Sequence, residues 1–258
     1  YGVDMREIPT DNIERVEVVR GIPSVKYGEL TSGLINITRK RSQTPLQIRL
    51  KADEYGKLIS AGKGFLLAEK WNLNVDGGLL DAKKEPRNQF ETYKRLTFSA
   101  RIQRKWKLGE HNILEWNGAT DYALNVDNVK TDPEIQIHKE DRYRSSYLKI
   151  GMNNRIVYRR LLPLGLQRAS FAYTASVAFD KIHQTEAVAL QRDYVVPLAY
   201  ESGEYDGLFL PFQYISNYRV EGIPFYTTFR SETEWTAQTA RINHRITAGG
   251  EFMLNKNY

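Results

Sequence analysis

Residues 95–106 read "RLTFSARIQRKW", and apolar and polar side chains alternate along this stretch. Leu96, Phe98 and Ile102 fall on one parity, whereas Ser99 and Arg101 fall on the other. A period of two residues is typical of a β-strand that has one apolar face and one polar face. The stretch therefore predicts a strand that separates an apolar environment from a polar one.

The same period recurs along the chain after residue 45, and we find no comparable helical stripe. The strands that it predicts are 46–52, 58–68, 71–80, 92–106, 112–125, 142–159, 167–183 and 237–254. Several are longer than the five or six residues that are usual in globular proteins. Their length matches strands that cross a bilayer at a tilt.

The predicted connections also differ in length in a regular way. Connections after the second, fourth and sixth strands are short, and those after the third, fifth and seventh are long, with the longest at 184–236. Outer-membrane barrels have short turns on one side and long loops on the other. Aromatic residues near strand ends on the apolar parity, which suit a membrane interface, are Trp71, Trp106, Trp116 and Tyr158. The sequence thus predicts a mostly β fold, a transmembrane antiparallel β-barrel of which about eight strands are seen.

The polar parity of these strands carries many charges. They are Arg49, Lys51, Arg101, Lys105, Asp121, Lys149, Arg155, Arg241, Arg245 and Glu251. A wide lumen that holds water or a polar plug accommodates them, whereas a narrow soluble barrel would have to pair every one. Alternation alone leaves a second interpretation open, in which the apolar faces form a buried core and the charges face solvent.

The composition argues against several kinds of function. The 258 residues carry a net charge of +6 and no cysteine, and the basic residues are spread along the chain. We find no nucleic-acid-binding module and therefore expect no nucleic-acid partner. The four histidines lack metal-ligand spacing, and no nucleophile motif is present, so we expect no metal, no cofactor and no enzymatic activity.

Residues 13–41 carry a different pattern, "IERVEVVRGIPSVKYGELTSGLINITRKR". It resembles the end of the plug domain of TonB-dependent outer-membrane receptors and the junction of that plug with the barrel. The residues of the motif are Glu14, Arg15, Glu17, Arg20, Gly21, Tyr27, Gly28, Gly33 and Asn36. The chain departs from the family pattern in three places: proline comes one position late at Pro23, Ser32 replaces a glycine, and one junction residue is absent.

The resemblance implies two domains and a function. Residues 1–41 would be the C-terminal part of a plug, and residues 42–258 the N-terminal part of a transmembrane barrel with long extracellular loops. Receptors of this family have about 22 strands, so we expect the chain to be part of a longer protein. The implied function is TonB-dependent active import of a nutrient across the outer membrane of a Gram-negative bacterium. The nutrient would be an iron chelate, a vitamin, an oligosaccharide or a peptide.

The resemblance also implies partners. These are TonB, engaged through a segment not in this chain, and outer-membrane lipid, with a surface lipoprotein as a further candidate. The form of the junction is similar to SusC-like or RagA-like importers of Bacteroidetes. In such a plug Glu14, Arg15, Glu17 and Arg20 would offer charged contacts to the barrel wall. The strands around Val16, Val18, Leu34, Ile35 and Ile37 would be buried in the plug.

The predicted 184–236 loop is rich in aromatic residues, which stack on sugars and flat chelates. The candidate ligand-binding residues are Tyr205, Phe209, Phe212, Tyr214, Tyr218, Tyr226 and Trp235. The alternative for these rings is that they pack the loop into a small core of its own. The alternatives for the whole chain are a small passive outer-membrane barrel for adhesion or anchoring, and a soluble β-rich ligand-binding domain.

Overall fold

The computed structural model describes residues 13–21, 33–68, 70–132, 134, 141–163, 165–189, 194–210, 213–239 and 242–258. About four fifths of them lie in antiparallel strands, and none lies in a helix. Accordingly, this part of the chain offers no helix long and apolar enough to cross a membrane, a finding that bears on helices alone.

The strands are numbered in chain order. They are β1 (Ile13–Val19), β2 (Leu34–Arg39), β3 (Thr44–Asp53), β4 (Gly56–Leu67), β5 (Trp71–Ala82), β6 (Glu91–Lys107), β7 (Asn112–Val129), β8 (Arg142–Leu162), β9 (Gly165–Ala189), β10 (Tyr194–Pro197), β11 (Gly207–Leu210), β12 (Gln213–Gly222), β13 (Pro224–Thr239) and β14 (Ile242–Asn257).

One large sheet contains β3 to β9 and β12 to β14. Its order is β14-β13-β9-β8-β7-β6-β5-β4-β3, and β12 pairs with the second half of β9. Only Ile223 separates β12 from β13, so the two strands together cover one side of the 25-residue β9. Within the described residues β3 and β14 remain the two edges of this sheet, and no closed barrel is found.

The first seven predicted strands are confirmed as β3 to β9, with ends that extend by a few residues. The eighth was wrong, because 237–254 covers the end of β13 and most of β14. The 184–236 segment is also not one loop, since it contains the end of β9 and β10 to β13. Alternation is weak in β13 because Thr227, Ser231 and Thr233 occupy positions of its apolar parity.

The connections sort to the two ends of the sheet as predicted. At one end lie 68–70, 108–111, 163–164 and 240–241, and at the other lie 54–55, 83–90, 130–141 and 190–212. The β10–β11 hairpin belongs to the last of these. We refer to the two ends as the short-turn end and the loop end.

Burial of side chains is inverted relative to a water-soluble sheet. Phe98 is 48% exposed and Phe171 is 46% exposed, whereas the guanidinium-bearing Arg101 is only 2% exposed. Cross-strand partners share a face, so the register assigns each strand an outward, apolar face and an inward, polar one. The interpretation in which the apolar faces form a buried core is therefore wrong for the described residues.

The strands β1 and β2 form a separate two-stranded ribbon. Gly21 follows β1 with φ of +84°, and Gly33 precedes β2 with φ of +114°, and both lie in the left-handed region that favours glycine. Val16, Val18 and Ile35 are 49%, 61% and 55% exposed, so the burial predicted for these strands was wrong. A two-stranded ribbon leaves its side chains exposed unless another layer packs on it.

Two members of the motif, Tyr27 and Gly28, and one candidate ligand residue, Phe212, lie outside the described residues.

The register of β8 on β9 can be tested by cross-linking, because the chain has no cysteine of its own. Asn153 lies opposite Thr174, and its amide donates a 3.3 Å hydrogen bond to the threonine hydroxyl. We expect N153C/T174C to form a disulfide on mild oxidation, measured by mass spectrometry of tryptic peptides. The control N153C/S176C displaces one cysteine by two residues on the same face, and equal cross-linking of the two variants would contradict this register.

Candidate functional site

The described structure concentrates polar contacts where the chain passes from the ribbon into the sheet. We call residues 39–43 the junction segment. The Arg39 guanidinium forms a bidentate ion pair with the Asp121 carboxylate on β7, in which Nη2 donates to Oδ2 at 2.8 Å. Arg39 Nη1 also donates to the Ser99 hydroxyl on β6 at 3.1 Å. The end of β2 is thereby attached to two strands of the sheet.

The register explains how the sheet builds this site. Asp76, Ser99 and Asp121 lie in one row across β5, β6 and β7, because Ser99 is the partner of both carboxylates. Arg101 lies two residues further along β6 on the same inward face. We call Arg39, Asp76, Ser99, Arg101 and Asp121 the junction cluster; its two arginines and two aspartates balance in charge.

The Ser99 hydroxyl uses its full hydrogen-bonding capacity. It donates to Asp121 Oδ1 at 2.6 Å and accepts from Arg39 Nη1 and Arg101 Nη1, each at 3.1 Å. A hydroxyl has one donor and two acceptor positions, so none is left over. Ser99 is 4% exposed, and its hydrogen bonds join the two ion pairs into one network.

Arg101 and Asp76 form the most buried ion pair of the cluster. Arg101 Nη1 lies 2.5 Å from Asp76 Oδ1, and the two side chains are 2% and 5% exposed. Within the described residues neither carboxylate oxygen of Asp76 accepts a well-aligned hydrogen bond. The charge of Arg101 is therefore the main compensation for the buried Asp76 carboxylate.

The backbone of the junction segment is also held by the sheet. Arg101 Nε donates to the Lys40 carbonyl at 3.1 Å, and the Asn74 amide donates to the Ser42 carbonyl at 3.0 Å. These two bonds fix the path of the chain on the inward face of β5 and β6. The segment thus lies on the polar face of the sheet and covers its buried charges.

The electrostatics of the two junction arginines differ. Burial by itself lowers the pKa of Arg39, but its hydrogen bond with Asp121 and the charge of that carboxylate raise the pKa above its usual value. Burial lowers the pKa of Arg41, and repulsion by Arg39 and Arg101 lowers it further. Arg39 is therefore compensated by the cluster, whereas Arg41 experiences a net positive environment.

A second inward network lies nearer the short-turn end. The Glu115 carboxylate on β7 accepts hydrogen bonds from Gln103, Asn117 and Arg159 at 3.0, 2.9 and 3.0 Å. Its side chain is 11% exposed. Each oxygen of this carboxylate is therefore satisfied by a neighbour on the same face, which makes the charge tolerable there.

Of the four charged residues predicted to contact the barrel wall, Arg15 and Glu17 make their described contacts within the ribbon. Arg15 pairs with Glu17 at 3.0 Å, and Glu17 accepts a 2.8 Å hydrogen bond from the Asn36 amide, all within the ribbon. Glu14 and Arg20 are exposed. Among the described residues, polar contact with the sheet comes from Arg39 and the junction segment instead. Arg15 and Glu17 pair because they lie two residues apart on β1, and Asn36 reaches Glu17 because it is its cross-strand partner on β2.

The candidate ligand residues fall into three places. Tyr214 and Tyr218 lie in β12 and Tyr226 in β13, not in a loop, and the register assigns all three to inward positions. Tyr205 precedes β11 and Phe209 lies within it, and they are 45% and 61% exposed.

Trp235, by contrast, faces outward at the short-turn end of β13, opposite Gln167. The structure thus places three tyrosines on the inward face along β12 and β13, and it separates Trp235 from them.

The alternation in the sequence assigns Ser99, Arg101 and Asp121 to the polar face, but it gave no indication of Asp76 or of Arg39 as members of this cluster. The signal that was available is an inward acid on each strand flanking an inward arginine. No group of three or more histidines, aspartates or glutamates is placed to hold a metal ion in the part of the chain that the structure describes.

The fold and the site define an antiparallel β protein whose large sheet exposes its apolar face and buries its polar one. Comparison of the chain with known proteins finds no matching family model, no matching curated protein and no matching solved structure. What the chain does is therefore inferred from its own residues.

The Arg39–Asp121 pair should protect the basic junction from proteolysis. In D121N the Arg39 guanidinium loses its charged partner. We therefore expect trypsin to cleave within residues 39–41 about tenfold faster, a factor that corresponds to the free energy of one charge-assisted hydrogen bond. The rate is measured by mass spectrometry of timed digests. D127N, another inward aspartate of β7, is the control, and cleavage at Lys83 reports general loosening. Equal junction cleavage in D121N and D127N would overturn the assigned role.

The buried Arg101–Asp76 pair should be energetically coupled. Either R101Q or D76N alone leaves one buried charge uncompensated and should lower the free energy of unfolding by about 3 kcal/mol. The double variant should lose about 1–2 kcal/mol less than the sum of the single losses. Urea unfolding followed by tryptophan fluorescence measures all three. R101Q combined with D127N should be additive, and additivity of R101Q with D76N would refute the coupling.

Proposed function

We propose that the chain is the plug-to-barrel junction and the first part of the barrel wall of a TonB-dependent outer-membrane receptor. Its function is the active import of a nutrient into a Gram-negative bacterium. The observation that carries the proposal is the inverted burial of the large sheet, in which Phe98 is 48% exposed and Arg101 is 2% exposed. Lipid hydrocarbon is the solvent that such an outward face requires.

The height of the apolar face supports a membrane-crossing wall. On β6 the outward residues from Leu96 to Trp106 are apolar except Arg104. Ten residue steps span about 33 Å along a strand. At the usual tilt of membrane strands this corresponds to about 25 Å, the height of the apolar band of outer-membrane barrels. Beyond this band the outward face becomes polar, with Lys94 opposite Asp81.

The ring pattern at the short-turn end also supports a membrane interface. Trp71 contacts Trp106 and Trp116 edge to face, with ring centroids 6.1 and 5.7 Å apart. Tyr158 lies one strand further, opposite Leu114. Indole and phenol rings favour the boundary between hydrocarbon and headgroups because they are apolar with one polar edge.

The junction cluster has a definite role in this proposal. A receptor of this kind moves its plug when TonB pulls on it, and the plug must stay attached to the barrel. The ion pair of Arg39 with Asp121 and the bonds to the Lys40 and Ser42 carbonyls hold the chain where the ribbon ends. The cluster therefore acts as the fixed anchor, and the movement takes place in the plug segments that precede it.

The column of Tyr214, Tyr218 and Tyr226 supplies the proposed ligand contact. These rings lie on the inward face, toward the loop end, which is the extracellular end in this proposal. Tyrosine presents a flat apolar ring and a hydroxyl, a combination that suits a sugar or an aromatic chelate. A substrate that arrives from outside would meet these rings before it reached the junction cluster.

Depth-dependent substitution tests the membrane orientation. F98R places a charge in the middle of the outward apolar band and should lower the free energy of unfolding in lipid vesicles by about 2–4 kcal/mol. V126R faces the same way in the polar row near Lys94 and should cost about 0–1 kcal/mol. Urea titration of protein refolded into vesicles measures both. Equal costs would contradict the assigned bilayer position.

Transport is tested in cells that depend on the whole receptor. Deletion of its gene should abolish uptake of one nutrient class, identified from the ligand that copurifies with the protein, and an uncoupler of the proton-motive force should have the same effect. Uptake that persists with the uncoupler would indicate a passive barrel. Loss of membrane association and of heat-modifiable gel migration would indicate a soluble domain. Either result overturns the proposal.

A further inference from the structure

Arg104 is an exception on the outward face of the sheet. It lies on the apolar parity of β6, between Ile102 and Trp106, and its cross-strand partners are Trp71 and Trp116. A guanidinium that faces hydrocarbon without an anion is costly, so its surroundings indicate what compensates it.

Tryptophan rings enclose Arg104. The guanidinium carbon lies 4.6 Å from the ring centroid of Trp71 and 4.8 Å from that of Trp106. Trp116, on the strand beyond, touches Trp71 edge to face. These contacts attract the cation to the ring faces and keep the side chain at the level of the three rings.

The rings leave the charge itself uncompensated. Arg104 Nε is buried and has no hydrogen-bond partner, and no carboxylate of the described residues forms an ion pair with the guanidinium. An arginine has five N–H donors and no acceptor, so it requires an anion or several acceptors. Each indole ring offers a π face and one N–H donor. It has no lone-pair acceptor for the N–H groups of the guanidinium.

The surrounding outward face is also positive. At the short-turn end the outward positions of β5 to β8 include Arg104 and Arg160 but no carboxylate in the described residues. At the loop end, by contrast, Lys94 lies opposite Asp81. The described strand positions around Arg104 therefore supply no acceptor for its guanidinium.

We propose that Arg104 and the rings of Trp71, Trp106 and Trp116 form a binding site for the phosphate of an anionic phospholipid, with its chains along the apolar face above. The inference rests on the proposed function, since it requires the short-turn end to lie at a lipid interface. A phosphate accepts hydrogen bonds from the guanidinium in fork geometry, and the rings pack against the glycerol and upper chain segments. In an anionic lipid such as phosphatidylglycerol, no headgroup ammonium competes for that phosphate.

Native mass spectrometry of the whole protein tests the site. Released from nanodiscs that contain equal amounts of phosphatidylglycerol and phosphatidylcholine, the wild type should retain phosphatidylglycerol preferentially. R104Q should bind it about tenfold more weakly, as expected for the loss of a charge-assisted contact, and R104K should be intermediate. The matched control is R144Q, which removes an outward arginine at the loop end of β8. Excess inorganic phosphate should not displace the lipid.

A measurement on the wild type guards against variants that misfold. Three of the four tryptophans belong to this site, and Trp235 lies on β13 away from it. Phosphatidylglycerol brominated high on its chains, at low mole fraction, should quench tryptophan emission more than brominated phosphatidylcholine does. Equal quenching, or equal lipid retention in R104Q and R144Q, overturns the site while the membrane assignment stands. A wild-type protein that fails to enter nanodiscs overturns the membrane assignment and the site together.

Discussion

The structure depends on compensation of charge on the enclosed face of the sheet. Arg101 is 2% exposed and Asp76 is 5% exposed, and neither would be stable at that depth without the other. Ser99 connects this pair to the pair formed by Asp121 with Arg39, which comes from a different part of the chain. The sheet and the segment that leads into it therefore stabilise each other, and neither polar surface is complete alone.

The two faces of the sheet impose different demands on sequence. Inward side chains must match in charge and geometry, as the Glu115 network with Gln103, Asn117 and Arg159 illustrates. In the proposed membrane setting, outward side chains need only be apolar and of suitable size, because fluid lipid adapts to their shape. We expect related sequences to vary freely outside and to change in concert inside.

The sequence was sufficient to predict seven strands, their two faces and the end to which each connection belongs, because alternation and connection length are local signals. It did not suffice for β12, nor for β13, in which Thr227 and Ser231 on the outward face hide the period. The junction cluster depends on register, which joins residues as far apart as Arg39 and Asp121, and no local pattern encodes that pairing. The family motif covers β1 and β2, but the contacts that tie this region to the sheet come from Arg39, whereas Arg15 and Glu17 pair within the ribbon.

The order of the strands has a consequence for how the protein assembles. From β3 to β9 each strand is hydrogen-bonded to the next one in the chain, and only the insertion of β10 to β12 interrupts the series before β13. Such a sheet can grow by successive addition of hairpins, so each step closes a short segment of chain at a small entropic cost. Throughout this growth the latest strand presents unpaired backbone groups that can pair with another strand, as β14 does at one edge of the described sheet. In water the same groups would recruit a wrong partner, and in the proposed membrane setting insertion directly into lipid avoids that mispairing.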